Sequence, residues 1–167
     1  EPYSTYVDEA LAEGRPLGEM HAFVASWRSL CCHPKILRAL EASLGTPELI
    51  LFFSSAFVKQ PHDAKRVDWH QENSCMNVVP RSHAGYRELE MIPVEEEKGA
   101  MLGRRVEVTA EMSSSAVPMI LKAGEFSIHD SHLVHGSAPN HSSRRRGGYT
   151  IRYGNALTTK VDLALHK

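Results

Sequence analysis

Cysteine is scarce, with three residues in a chain of 167. That is too few for a disulfide framework. Cys31 and Cys32 are neighbours in a helical pattern, and Cys75 sits in an apolar strand-like run. All three read as small buried hydrophobes of a reducing compartment, so a cytoplasmic protein is expected. Long apolar runs are also missing. None approaches the roughly 20 residues of a membrane span, and no charged-then-apolar opening resembles a signal peptide. Nor is there a surplus of charge: a formal net charge of −1 gives no global pull toward nucleic acid or membrane. The one basic run, Arg144 to Arg146, is local. An initiator methionine is absent too, and from the start at Glu1 an upstream piece is expected to have been removed.

The length that remains suits one domain with a sizeable buried core. Residues 1–45 read as helical. Met20, Phe23, Val24, Trp27, Leu30 and Cys31 repeat at i, i+3, i+4, i+7, which predicts one apolar stripe on one helix. Pro34 opens a second helix carrying Leu37, Leu40 and Leu44, with Gly45 at the C-terminal cap. From Glu48 the texture changes. LILFFSSAFVK, CMNVVP, VPMILK, EFSIHDSHLVH and GGYTIRYGNAL are strand-like runs separated by Gly, Pro and Asn. Between Tyr86 and Ala110 a polar excursion with EEEKG and GRR reads as an exposed loop with a short helix. Helices followed by many short strands predict an α+β, mainly β domain whose β part, about 48–158, is a sandwich or barrel.

Ten histidines need sorting. His21, His33, His62, His141 and His166 have no matching carboxylate and read as surface residues. His83, in PRSH, reads as a turn anchor. His70 differs because of VDWHQE: on a strand, residues two apart share a face, so Asp68, His70 and Glu72 can point together. A histidine and a carboxylate on one face supply two ligands of a facial triad, and a distant histidine supplies the third. EFSIHDSHLVHGSAPN offers His129, His132 and His135. His129 and His135 are six apart and share a face, and His135 stands at the strand end before Gly136 and Ser137. Eleven residues on, Arg146 leads into another strand, where a guanidinium can hold a dicarboxylate by a two-pronged hydrogen bond.

HQ, ENSCMNVVPRSH and LKAGEFSIHDSHLVHGSAPNHSSRRRGGYTIRY together resemble the phytanoyl-CoA dioxygenase family of iron(II)- and 2-oxoglutarate-dependent oxygenases. The resemblance runs from about Trp27 to Thr158 and includes FVKQP; HGSAPN with its following arginine is its most specific part. It implies a double-stranded β-helix (a cupin-like jelly roll) with the N-terminal helices packed on one sheet. It also implies Fe(II) on His70 and His135, and 2-oxoglutarate on Arg146, with Ser137 and Ser55 as further co-substrate contacts. Hydroxylation of a small molecule with O2, releasing succinate and CO2, is the implied reaction. No nucleic-acid or membrane partner is expected, and the protein is taken as a monomer or homodimer.

The family carries H-x-D and a further strand before a segment like ENSCMNVVPRSH, whereas here HQ joins that segment directly. The expectation is that an internal segment between Gln71 and Glu72 is absent and took the metal carboxylate with it. Gln71 and Glu72 would then not be peptide-bonded. Glu72 otherwise completes an H-x-E site. Arg81 replaces a family glycine, which calls the turn geometry there into question. A halogenase, whose carboxylate gives way to chloride, and a non-catalytic metal- or 2-oxoglutarate-binding relative are the alternatives.

Overall fold

The computed structural model describes residues 2–71, 77–94 and 100–158. Its elements in chain order are α1 (Pro2–Ala12), α2 (Met20–Phe23), α3 (Ala25–Cys31), α4 (Pro34–Leu44), β1 (Leu49–Lys59), β2 (Val67–Gln71), β3 (Asn77–Val78), β4 (Met91–Pro93), β5 (Arg104–Val106), α5 (Ala110–Ser114), β6 (Val117–Pro118), β7 (Val134–Ser137) and β8 (Arg146–Asn155). The chain groups into two compact units, residues 1–56 with 151–167, and residues 57–150. Among the described residues, no helix is long and apolar enough to cross a membrane.

The first unit holds α1 to α4. Trp27 is buried, with the Tyr3 ring packed edge-on at 4.9 Å between centroids. Tyr153 donates from its hydroxyl to the Cys31 carbonyl at 2.6 Å. The single helix expected over Met20–Cys31 is in fact two. Val24 is extended (φ −122°, ψ 115°), and Arg28 reaches back to donate to the His21 and Ala22 carbonyls. Those bonds satisfy the loose end of α2, which lets the chain break there. Phe23 is consequently 80% exposed, while Met20, Trp27 and Cys31 stay buried. α4 begins at Pro34 and ends on Gly45 at φ 70°, a left-handed cap that glycine adopts without steric cost.

The second unit is built on a four-stranded sheet in the order β2-β7-β3-β6, and β1 pairs separately with β8. Both β2 and β3 run antiparallel to β7, so they are parallel to each other on its two sides. Five residues, 72–76, separate them in sequence. A crossover between parallel strands ordinarily takes about a dozen or more. Cys75, Glu72 and the Gln71–Glu72 bond lie outside the described residues.

One face of this sheet packs against Val79, Val106 and Val134, joined by Trp69, Leu89 and Met91. Gly136 sits on that face because a Cβ there would come within 3.1 Å of the Val67 carbonyl and 3.3 Å of the Trp69 ring. Alternation sends His135 and Ser137 to the other face.

Two expected strands are shorter than their sequence suggests. VPMILK pairs only at Val117 and Pro118, and EFSIHDSHLVH joins the ladder only from Val134. β3 pairs over two residues, and a strand cannot extend past the partner that satisfies its N–H and C=O groups. In place of the expected loop and short helix, the described part of the polar excursion holds the paired β4 and β5, and α5 follows it, its N-cap Thr109 accepting from the Met112 amide. Arg81 takes φ 65°, the left-handed conformation a glycine would adopt freely.

Candidate active site

His70 and His135 are partners in the β2–β7 register, and their ring centroids are 4.2 Å apart. Both are essentially fully buried. His70 Nδ1 lies 2.7 Å from the Asp68 carbonyl and His135 Nδ1 2.6 Å from the Leu133 carbonyl. A carbonyl only accepts, so each Nδ1 carries a proton, and in the neutral ring Nε2 is then the nitrogen able to take a metal. This tether to the residue two back is the same in both, and it fixes both rings.

A third imidazole stands beside them. The His129 ring packs edge-on against that of His135, centroids 5.2 Å apart. Its Nε2 is buried without a hydrogen-bond partner. Burial pushes its pKa down against the pull of Asp130, and the neighbouring His70 adds to the lowering, so it is held neutral. Asp68 accepts from Arg66 Nε at 3.0 Å through Oδ1, and its Oδ2 is buried without a hydrogen-bond partner. The β2–β7 register shifts between Val67 and His70, which interrupts the alternation that would bring Asp68 onto the His70 face. Among the described residues, no three His, Cys, Asp or Glu side chains stand ready around one point.

Two residues along β7 from His135, Ser137 collects two cations. Lys59 donates from Nζ to Ser137 Oγ (2.9 Å), the Ser137 carbonyl (2.9 Å) and the Ala138 carbonyl (2.8 Å). Arg146 donates to the same Ser137 Oγ at 2.9 Å and to the Ala138 carbonyl at 2.6 Å. The oxygens that bind both are neutral. Burial, then the positive Arg146, push the Lys59 pKa down from 10.5 to about 8, with Asp63 opposing. Buried Asn140 shapes the loop in between, donating to the Gln60 and Arg144 carbonyls and accepting from Ser142.

Arg146 is half-buried, whereas Arg144 and Arg145 are exposed. Arg152 belongs to the first unit, its guanidinium 4.9 Å above the Phe53 ring. Ser55 is also in the first unit, donating to the Leu17 carbonyl at 3.2 Å. His132 turns to Asp130, 2.9 Å away. His21, expected on the surface without a carboxylate, is instead half-buried, 2.6 Å from Ser54 Oγ and 3.6 Å from Glu19. Sequence reasoning passed over Lys59. Its signal was present: a lysine closing the otherwise apolar and hydroxylic run LILFFSSAFVK.

The family model for phytanoyl-CoA dioxygenase matches residues 67–148, the stretch that carries His70, His135, Ser137 and Arg146. Over that stretch the chain is similar to the phytanoyl-CoA dioxygenase family. Phytanoyl-CoA dioxygenase domain-containing protein 1 of Mus musculus is 27% identical over 165 residues, covering 84% of this chain and 56% of the mouse protein. The chain thus spans little more than half the length of that relative. Among solved structures, the apo form of the non-heme monooxygenase ThoJ superposes with a TM-score of 0.72 at 20% identity, covering 92% of this chain and 68% of its own. EvdO2 from Micromonospora carbonacea var. aurantiaca, complexed with 2-oxoglutarate, gives 0.63 at 19% identity, covering 77% and 63%. At these identities the likeness is one of fold, mainly β sheets with some helices.

Proposed function

We propose that this chain is an iron(II)- and 2-oxoglutarate-dependent oxygenase of the double-stranded β-helix class that hydroxylates a small molecule, releasing succinate and CO2. The observation that carries the reading is the division of labour along β7. His135 meets His70, and two residues on, roughly 7 Å along the strand, Ser137 meets Lys59 and Arg146. A metal-competent imidazole pair and a cation pair separated by one pleat repeat match the two ends of a short α-keto dicarboxylate. The family and the fold likeness to non-heme monooxygenases agree with it.

His70 and His135 would hold the iron through Nε2, and Arg146, Lys59 and Ser137 would hold the far carboxylate. The bound metal and 2-oxoglutarate together supply the oxidising power that inserts oxygen from O2 into a C–H bond of the substrate. The chain's own share is orientation. The Asp68 and Leu133 carbonyls lock the imidazole tautomers, and Asn140 fixes the loop from which Ala138 and Arg146 face the anion. Burial of both histidines keeps water from their nitrogens. The five-residue step from β2 to β3 supports a further reading, that a loop and strand have been lost there together with an H-x-D carboxylate.

Incubation with Fe(II), 2-oxoglutarate and O2, followed by NMR, tests the proposal. Iron-dependent formation of succinate, slow in the absence of substrate, is expected. Binding of 2-oxoglutarate without any succinate, across candidate substrates, would leave a non-catalytic relative in its place.

A further inference from the structure

Residues 125–129 carry the pattern of a strand, yet no strand pairs with them among the described residues. Phe126 and Ile128 are exposed, at 44% and 41%, while Ser127 and His129 are partly buried. That alternation has the strand period of two. The amides and carbonyls of residues 126–129 make no backbone hydrogen bond among the described residues. We propose that this stretch pairs with the same stretch of a second copy of the chain, antiparallel about Ser127, to form a two-fold dimer. The inference is independent of any metal or co-substrate.

An open row of N–H and C=O groups is a template for another strand. A turn closed by the Glu125 amide on the Lys122 carbonyl, with Gly124 at φ 88°, links the row to exposed Val117, Ile120 and Leu121. With Phe126 and Ile128 these make five exposed apolar side chains between positions 117 and 128. A concentration of this kind marks an interaction surface, whereas scattered exposed residues do not.

Register identifies the occupant. Side-by-side copies of one strand are related by an axis perpendicular to the sheet, so the axis must pass through a residue position. Centred on Ser127, the pairing sets Phe126 opposite Ile128 of the second copy and Glu125 opposite His129 of the second copy, each twice. An aromatic with a β-branched side chain, and a carboxylate with an imidazole, are cross-strand pairs that stabilise antiparallel strands. Centring on Ile128 would set Phe126 against Asp130, and centring on Phe126 would set Ile128 against Gly124. Ser127 alone brings both complementary pairs together. Glu125 accepts the Lys122 amide through Oε2, which leaves Oε1 for the facing histidine.

Sedimentation velocity on the full chain, over a wide concentration range, tests the proposal. The parent should pass from the 18.6 kDa of one chain to twice that mass as concentration rises. Phe126→Lys alters a side chain already exposed in one copy, so the fold should hold. It should raise the dissociation constant at least about tenfold, because a two-fold axis counts each change twice. Glu125→Lys should weaken the dimer too, and adding His129→Glu should restore most of that loss. Cysteine variants read the register, made in a Cys32→Ser chain because Cys32 is exposed. Directly opposed residues of antiparallel strands have Cα atoms about 4.5–5.5 Å apart, a span a disulfide bridges. Ser127→Cys should therefore cross-link to its own counterpart on mild oxidation, whereas Ile128→Cys, offset from its counterpart by two residues, should not. If His129→Glu disturbs the circular dichroism, the two cysteine variants decide. A chain that stays monomeric, a dimer indifferent to Phe126→Lys, or equal cross-linking at positions 127 and 128 overturns the proposal.

Discussion

His70 and His135 oppose each other across β2 and β7 with ring centroids 4.2 Å apart, each tethered through Nδ1 to a carbonyl two residues earlier in its own strand. On the function proposed above, these two buried imidazoles would serve as metal ligands held in place before any metal arrives. Alanine at either position should abolish iron binding and iron-dependent succinate formation while leaving the far-UV circular dichroism close to the parent. Iron content after anaerobic loading checks this. Full occupancy in both variants would dismiss the site.

Arg146 and Lys59 share Ser137, and the oxygens they bind there are neutral. A dicarboxylate at this point answers both charges, and removing one member of such a buried pair typically costs about 2–5 kcal/mol. Arg146→Ala should therefore raise the 2-oxoglutarate concentration for half-saturation at least roughly tenfold, one decade being about 1.4 kcal/mol. The exposed Arg144 and Arg145, and Arg152 over Phe53, should each change it little when replaced by alanine. A 2-oxoglutarate titration of the four variants tests the difference; equal small effects would reduce Arg146 to loop charge.

Lys59 should make that affinity pH-dependent. Its folded pKa, near 8, lies below the ordinary 10.5 because burial and Arg146 disfavour its charge. Binding of 2-oxoglutarate to the free protein should weaken as pH rises through about 8, when Lys59 loses its proton, and Lys59→Met should remove that step. Stability should change in the opposite direction. Between about pH 8 and 10.5 the unfolded chain holds the extra proton, so stability rises with pH across that window. Calorimetric titrations and denaturant curves at matched pH separate the two effects.

Gly136→Ala should disturb the site through packing alone. The added methyl would meet the Val67 carbonyl at 3.1 Å and Trp69 at 3.3 Å, on the face opposite His135. A loss of about 1–3 kcal/mol is expected, read as a lower denaturant midpoint at unchanged slope. Metal affinity should fall as well, because β2 must move away from β7. A midpoint equal to the parent's would show that the strands yield freely.

The sequence was legible where spacing maps directly onto a face or an end. Pro34 and Gly45 bound α4, and LILFFSSAFVK and GGYTIRYGN run as strands, because caps and alternation act locally. His70, His135 and Arg146 could be singled out in the same way, from neighbours within one short stretch. Tertiary structure decided what depends on a distant partner. The helix expected over Met20–Cys31 breaks at Val24 because Arg28 satisfies its freed carbonyls, and EFSIHDSHLVH stays largely outside the sheet because β3 offers two residues to pair with. Lys59 reaches Ser137 across 78 positions of chain, a meeting no periodicity encodes. In the sequence His129 shared a strand face with His135 and was passed over for it. It comes to lie 5.2 Å from His135 with a buried, unbonded nitrogen through the folding of its loop, and that environment, unlike the residue type, is not written into any local pattern.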